Sequence, residues 1–267
     1  MTAGVDPAAN ARVLSDAVRE AGARGAAMLF TPEMSNLLDR DRERAARSIT
    51  AEGDDPALAA VRAAAAEHGV WVHLGSLALS RDDGRLANCG FVIDAAGGVR
   101  ARYDKLHLFD VDLPSGERWR ESAAYAAGET ACVVGTPAGV LGPTICYDLR
   151  FPALYQALSG AGATLLSVPA AFTRPTGRAH WRLLLRARAV ENAAFVVAAA
   201  QTGAHEDGRE TYGHSLVVDP WGEVLLDMGE ETGLGVVDLN TERLAEVRGR
   251  LPVLDHRRPI PPVALAR

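Results

Sequence analysis

The chain has 267 residues, 48% of them apolar, with a formal net charge of −6. That is enough for one large domain with a sizeable core, and no stretch reads as a linker, so a single domain over 1–267 is expected. The acidic balance and scattered arginines exclude a nucleic-acid or anionic-membrane surface, and no apolar run is long enough to span a bilayer. The first residues, Met1-Thr2-Ala3-Gly4, lack the basic-then-apolar pattern of a signal peptide. Three cysteines, Cys89, Cys132 and Cys146, make an odd count without a CxxC pair. Neither a disulfide framework nor a zinc site is implied, and a reducing, cytoplasmic setting is expected.

Residues 8–24 carry Val13, Leu14, Ala17, Val18 and Ala21 at helical spacing. Residues 26–30 read as a short buried strand that ends at Thr31-Pro32-Glu33. The run 40–47 interleaves Arg with Asp39, Asp41 and Glu43, as a solvated helix face does. Asp55-Pro56 reads as an N-cap with proline at the first helical position, opening a helix to about His68. Strands are predicted over 70–79, 86–94 and 99–103, separated by the turn signals Asp82-Asp83-Gly84 and Gly97-Gly98.

Residues 104–129 form a long polar and aromatic stretch without regular pattern, of the kind that usually carries function. A strand over 140–145 ends at Cys146. A helix over 151–159, a strand over 164–168 and a helix beginning at His180 and ending at Asn192 follow. The apolar run 194–200 suits a strand buried on both faces. Pro220-Trp221-Gly222 joins strands 215–219 and 223–226 as a hairpin, 234–239 reads as a last strand, and Asn240 caps a final helix to about Arg250. Alternating strands and helices with several hairpins make a mixed α/β protein.

Four residues at element ends have chemical potential. Cys146 stands where a strand gives way to a helix, a geometry that lifts a side chain from the sheet and sets backbone N–H groups beside it. On that signal alone a buried structural cysteine is the commoner case. Glu33 directly follows a strand and suits a general base or, equally, a carboxylate at a helix N-terminus. Lys105, among Leu106, Leu108 and Phe109, suits oxyanion stabilisation, although most lysines are simply at the surface. Glu121 reads locally as a solvated loop carboxylate. None of His68, His73, His107, His180, His205, His214 and His256 has a clear claim as partner of Cys146. A metal set of His73, His107 and Cys146 matches no familiar ligand spacing.

Taken together these motifs resemble the nitrilase superfamily, and its Nit branch in particular. Glu33 matches a strand ending in Pro-Glu, Lys105 matches Lys-x-His-Leu-Phe, and Cys146 matches Cys-Tyr-Asp-x-Arg-Phe. Glu121 matches the second glutamate found upstream of the cysteine. The likeness continues through Phe172-Thr173-Arg174-Pro175, Arg186 to Asn192, Tyr212-Gly213-His214-Ser215 and Pro220-Trp221-Gly222-Glu223, and so spans nearly the whole chain. Ala198 to Gln201 and Thr211 to Ser215 look most like deaminated glutathione amidases.

The resemblance implies an αββα sandwich, two mixed β-sheets flanked by helices. It implies hydrolysis of a terminal carboxamide on a small, acidic, linear substrate, with Glu33, Lys105, Glu121 and Cys146 as the catalytic set. A Cys146 thioester would form and ammonia would leave. Lys105 and local dipoles would favour the thiolate or its transition state, and Lys105 with the Tyr147 N–H would hold the oxyanion. Phe172 and Thr173 fall where relatives line the pocket. Arg150 and Arg174 are candidates to meet a substrate carboxylate; Arg150 serves equally well as an ion pair bracing the cysteine turn. No metal or organic cofactor is implied, and a homodimer or larger homo-oligomer is expected. ω-Amidases of the α-ketoglutaramate type and N-carbamoyl amidohydrolases are the neighbouring activities, and a non-catalytic ligand-binding member is the reading from another class. Relatives usually open on an apolar strand ending in Gln-Met, and this sequence starts just beyond that point. The fold is therefore expected to lack that strand, leaving residues 28–30 incompletely buried.

Overall fold

The computed structural model describes residues 1–112, 116 and 118–265. Helix α1 (Pro7–Ala23) starts at Asp6, whose side chain accepts from the Ala8 N–H, with Pro7 filling the first position where an N–H has no helical partner. Strand β1 (Met28–Phe30) and helix α2 (Arg42–Ser48) follow. Helix α3 (Pro56–His68) is capped by Asp55 and stops at Gly69, whose φ of 67° suits a residue without Cβ. Strands β2 (Trp71–Ser80), β3 (Leu86–Ile93) and β4 (Val99–Asp104) form an antiparallel meander, and β1 adds to β2 in parallel.

Next come β5 (Asp110–Asp112) paired with β6 (Arg118–Arg120), then β7 (Val134–Thr136), β8 (Gly139–Pro143), α4 (Pro152–Gly160) and β9 (Leu165–Ser167). Helix α5 (Arg174–Asn192), β10 (Phe195–Ala198), β11 (Thr202–Ala204) and β12 (Glu210–Tyr212) follow. The antiparallel pair β13 (Leu216–Val218) and β14 (Val224–Asp227), then α6 (Thr241–Arg250), complete the order.

One sheet runs β1-β2-β3-β4 and the other β14-β13-β10-β9-β8-β7. Both are mixed, since β1 is parallel to β2 within the meander, and β8, β9 and β10 are parallel while β7 and β13 run against them and β14 runs against β13. Val92, Leu141, Leu165 and Phe195, one from the first sheet and three from the second, are buried together between the two sheets. The outer face of the first sheet packs on α1 and α3 through Leu14, Val18, Val61, Leu74 and Phe91. The outer face of the second packs on α4 and α5 through Tyr155, Leu158, Trp181 and Leu185. Each sheet thus buries both faces, giving the αββα sandwich.

Several sequence expectations need correction. The stretch 104–129 is not structureless: it holds β5, β6 and a 3-10 turn (Glu121–Ala123), although residues 113–115 and 117 lie outside the described residues. Residues 234–239 form no strand. Leu234 packs on the first sheet's outer cluster and Leu239 on the layer between sheets, so the segment is an extended connector with apolar anchors and no ladder. Helix α5 begins at Arg174, with Pro175 in its first turn, which puts His180 inside the helix. The strand before Cys146 ends at Pro143, because the Ile145 N–H turns to the Asp148 carboxylate. Among the described residues β1 lies at the edge of its sheet, with Met28 and Phe30 half-buried.

Candidate active site

Glu33, Lys105, Glu121 and Cys146 come from four separate chain segments and meet beside the ends of β1, β4 and β8. Glu33 lies three residues past β1. Its backbone carbonyl accepts from Gln201 Nε2 at 3.0 Å, and the next residue, Met34, adopts a φ of 54° and donates its N–H to Ser76 Oγ. Lys105 is the residue after β4, and its N–H bonds the Asn88 carbonyl at 2.9 Å. Its own carbonyl accepts from the Gly128 N–H. A Cβ on Gly128 would stand 2.2 Å from the Asp104 carbonyl oxygen, so only glycine permits that approach. Glu121 opens the 3-10 turn after β6, and its Oε2 accepts from the Phe109 N–H at 2.7 Å.

Cys146 opens a further 3-10 turn (Cys146–Arg150) with a φ of 49°, a left-handed conformation that is strained for a residue with a Cβ. The turn is held by Asp148. That fully buried carboxylate accepts from the Ile145 N–H, the Tyr103 hydroxyl at 2.7 Å, and both the N–H and Nδ1 of His107. The His107 ring stacks on Phe151 with centroids 3.6 Å apart. Asp148 therefore ties the cysteine turn to the segment carrying Lys105.

Lys105 Nζ, 2% exposed, donates to Glu33 Oε1 at 2.8 Å and to Glu121 Oε2 at 2.9 Å. Glu33 Oε2 accepts from the Ala171 N–H at 2.9 Å. Burial alone would push the Glu33 carboxyl up, but Lys105 and donors from Cys146 and Asn88 outweigh it and hold it below its ordinary value. Burial would likewise lower Lys105, yet Glu121 and Glu33 raise it well above normal. The Cys146 thiol is pushed well up, by burial first and Glu33 second, with Lys105 opposing. Burial and Glu33 thus outweigh Lys105 at the thiol, which leaves support of the transition state as the part of Lys105's expected role that this arrangement favours.

The four groups open into a cavity of about 700 Å³, which Tyr147, Phe172 and Thr173 also line. Among the described residues the Tyr147 N–H has no acceptor. Phe172 packs on Trp181 at 4.7 Å, and Thr173 Oγ1 pairs with Thr176 Oγ1. The Arg150 guanidinium lies in the cavity wall, 5.5 Å from the Phe172 ring centroid and 6.0 Å from that of Tyr147. It pairs with no carboxylate among the described residues, so it does not brace the turn as an ion pair. Arg174 is not brought to the site; Glu210 and Glu230 hold it at 3.1 and 3.0 Å.

The histidines are engaged elsewhere: His73 with Ser167, His107 with Asp148, His180 with Arg150, His205 with Thr211 and His214 with Asp227. No three potential metal ligands converge among the described residues, so His73, His107 and Cys146 are not assembled as a set. Sequence reading missed Asn88, Asp148 and Gln201. A polar residue inside the apolar strand Leu86-Ala87-Asn88-Cys89 was a usable signal; the roles of the other two depend on contacts between distant segments.

The carbon-nitrogen hydrolase family model matches residues 3–249. The chain belongs to the carbon-nitrogen hydrolase family. It is 43% identical over 237 residues to the deaminated glutathione amidase of Yersinia enterocolitica, covering 88% of this chain and 82% of that one. Among solved structures it superposes on the Caenorhabditis elegans NitFhit protein with a TM-score of 0.87 and 39% identity, over 97% of this chain and 63% of that one. It also matches the Nesterenkonia sp. AN1 amidase, solved as a glutamate-to-glutamine mutant with acrylamide joined by Michael addition to the active-site cysteine. That match has a TM-score of 0.77 and 30% identity, over 94% and 95% of the two chains. This family member is a carbon–nitrogen hydrolase acting on amides, with the fold of the nitrilase superfamily.

Proposed function

We propose that this amidase hydrolyses the terminal carboxamide of a small, acidic, linear substrate, deaminated glutathione being the leading candidate, through a thioester on Cys146. The observation that carries this reading is the buried set in which Lys105 links Glu33 and Glu121 beside Cys146. As the Cys146 sulfur bonds the amide carbon, its proton passes to Glu33 Oε2. The carbonyl oxygen becomes an oxyanion held by Lys105 Nζ and the free Tyr147 N–H. Collapse breaks the carbon–nitrogen bond as Glu33 returns its proton to the leaving nitrogen, and ammonia departs. Glu33 then takes a proton from water, whose oxygen attacks the thioester; the carbon–sulfur bond breaks, Glu33 passes that proton to the Cys146 sulfur, and the carboxylic acid leaves with the thiol restored. Glu121 holds Lys105 in place and does not touch the reacting atoms.

Arg150, in the cavity wall without a carboxylate partner, is the group to meet a substrate carboxylate; Arg174 is already neutralised by two glutamates. Relatives that bear the name deaminated glutathione amidase support the substrate assignment. The enzyme acts as one domain, in the cytoplasm, as a homodimer or larger assembly. Three unpaired cysteines support the reducing compartment, and exposed Leu183 and Val190 on α5 with Trp221 in the β13–β14 hairpin support self-association. Ammonia release should be fastest with deaminated glutathione in a panel that includes α-ketoglutaramate, carbamoyl compounds and nitriles. Faster turnover of an uncharged amide would overturn the acidic-substrate assignment.

A further inference from the structure

Asn88 lies on β3, 1% exposed, in a strand whose neighbours Ala87, Cys89 and Phe91 are apolar and buried. Its amide nitrogen donates to Glu33 Oε1 at 2.9 Å and to Glu121 Oε1 at 3.1 Å. Its backbone carbonyl accepts from the Lys105 N–H at 2.9 Å. One residue therefore contacts all three members of the charged set. The amide can face only one way, since a flip would turn its oxygen onto two carboxylates. In the observed orientation Oδ1 is buried without a hydrogen-bond partner among the described residues. A buried amide with a wasted acceptor is a poor choice for packing alone, and a good one for placing two donors.

We infer that Asn88 is a positioning residue of the amide-hydrolysing site, fixing Glu33 so that Oε2, and not Oε1, faces the Cys146 thiol. The inference rests on the catalytic reading above. Lys105 and Asn88 together occupy Glu33 Oε1, leaving Oε2, which accepts only from the Ala171 N–H among the described residues, as the oxygen open to the reacting sulfur. The same amide bridges the Glu33 and Glu121 side chains, giving each a donor besides the shared lysine. Leucine in this place offers no donor. Aspartate would add a third negative charge. The titratable groups facing Glu33 are Lys105, Cys146 and, across Asn88, Glu121, with Tyr125 beyond it.

The test compares N88A, N88D and N88S with the wild-type enzyme. The readouts are kcat and KM for amide hydrolysis, the pH dependence of Cys146 alkylation by iodoacetamide, and circular dichroism. Loss of the donors should lower kcat on the order of 10- to 100-fold with KM within about threefold. It should move the acidic limb of the alkylation profile upward by about half to one pH unit, because a carboxylate that loses a donor is harder to ionise. N88D, equal in size but without donors, should be at least as impaired as N88A, and N88S should be the mildest. Folded variants with an unmoved limb, a change confined to KM, or loss of fold in all three variants would overturn the inference. If the wild-type enzyme releases no ammonia from any amide, the catalytic reading fails instead, while the alkylation profiles still report on Asn88.

Discussion

The Cys146 thiol sits in a conflict of charge. One buried and one partly buried carboxylate face a single lysine, and burial together with Glu33 pushes the thiol pKa well up. In the proposed mechanism Glu33, rather than a preformed thiolate, carries the demand for base. Glu33→Gln should reduce kcat by about 10²- to 10⁴-fold with little change in KM, read from steady-state ammonia release. Lys105→Met should be worse for the fold than for any single contact. It leaves buried Glu33 and partly buried Glu121 without their cation, and urea unfolding should show a loss of about 3–5 kcal/mol. A Lys105→Met enzyme with wild-type stability would contradict the ion-pair geometry. At this scale the chain order of Glu33, Lys105, Glu121 and Cys146 was legible in their motifs. The partners of Arg174 were not, because Glu210 and Glu230 are 36 and 56 residues downstream and meet it only through the fold.

Elements matter here mainly for how they end. Lys105 is fixed by β4, by the Asn88 carbonyl on β3 and by the Gly128 N–H behind it. Gly128→Ala would drive a Cβ against the Asp104 carbonyl. It should lower stability by about 1–3 kcal/mol and reduce kcat together, measured by thermal melting alongside turnover. A fully active Gly128→Ala would show that the Lys105 backbone tolerates displacement. Capping and turn chemistry made most elements readable: Asp55-Pro56 opens α3, Asn240 caps α6, and Pro220-Trp221-Gly222 turns β13 into β14. Residues 234–239 misled because alternating apolar residues describe burial, not pairing, and among the described residues the segment joins no ladder. The stretch 104–129 misled in the opposite way, since β5 and β6 are three-residue strands, too short for any periodicity to register.

The whole molecule is two sheets whose shared layer must exclude charge. His73, on β2, is fully buried between them near Phe30 and Ser167, and burial pushes its pKa down to about 3. An unfolded histidine titrates near 6.5, so between about pH 6.5 and 3 the unfolded chain binds a proton that the folded one refuses. Stability therefore falls as pH drops through that window. At pH 5 the loss from this residue is about 2 kcal/mol relative to pH 7, and His73→Leu should remove that portion of the slope in urea melts at the two pH values. An identical slope in the variant would place the acid sensitivity elsewhere. The αββα sandwich was anticipated from the motif resemblance rather than from periodicity, since no local pattern states which strands share a sheet. Among the described residues no helix is long and apolar enough to cross a membrane. The central claim is that the amide's acyl group passes through Cys146, and acid-quenched turnover followed by peptide mass spectrometry tests it most directly. A Cys146 thioester would give an adduct on the Cys146 peptide equal to the substrate less ammonia, absent in Cys146→Ala, which should release no ammonia. Turnover without that adduct, and undiminished in Cys146→Ala, would contradict it.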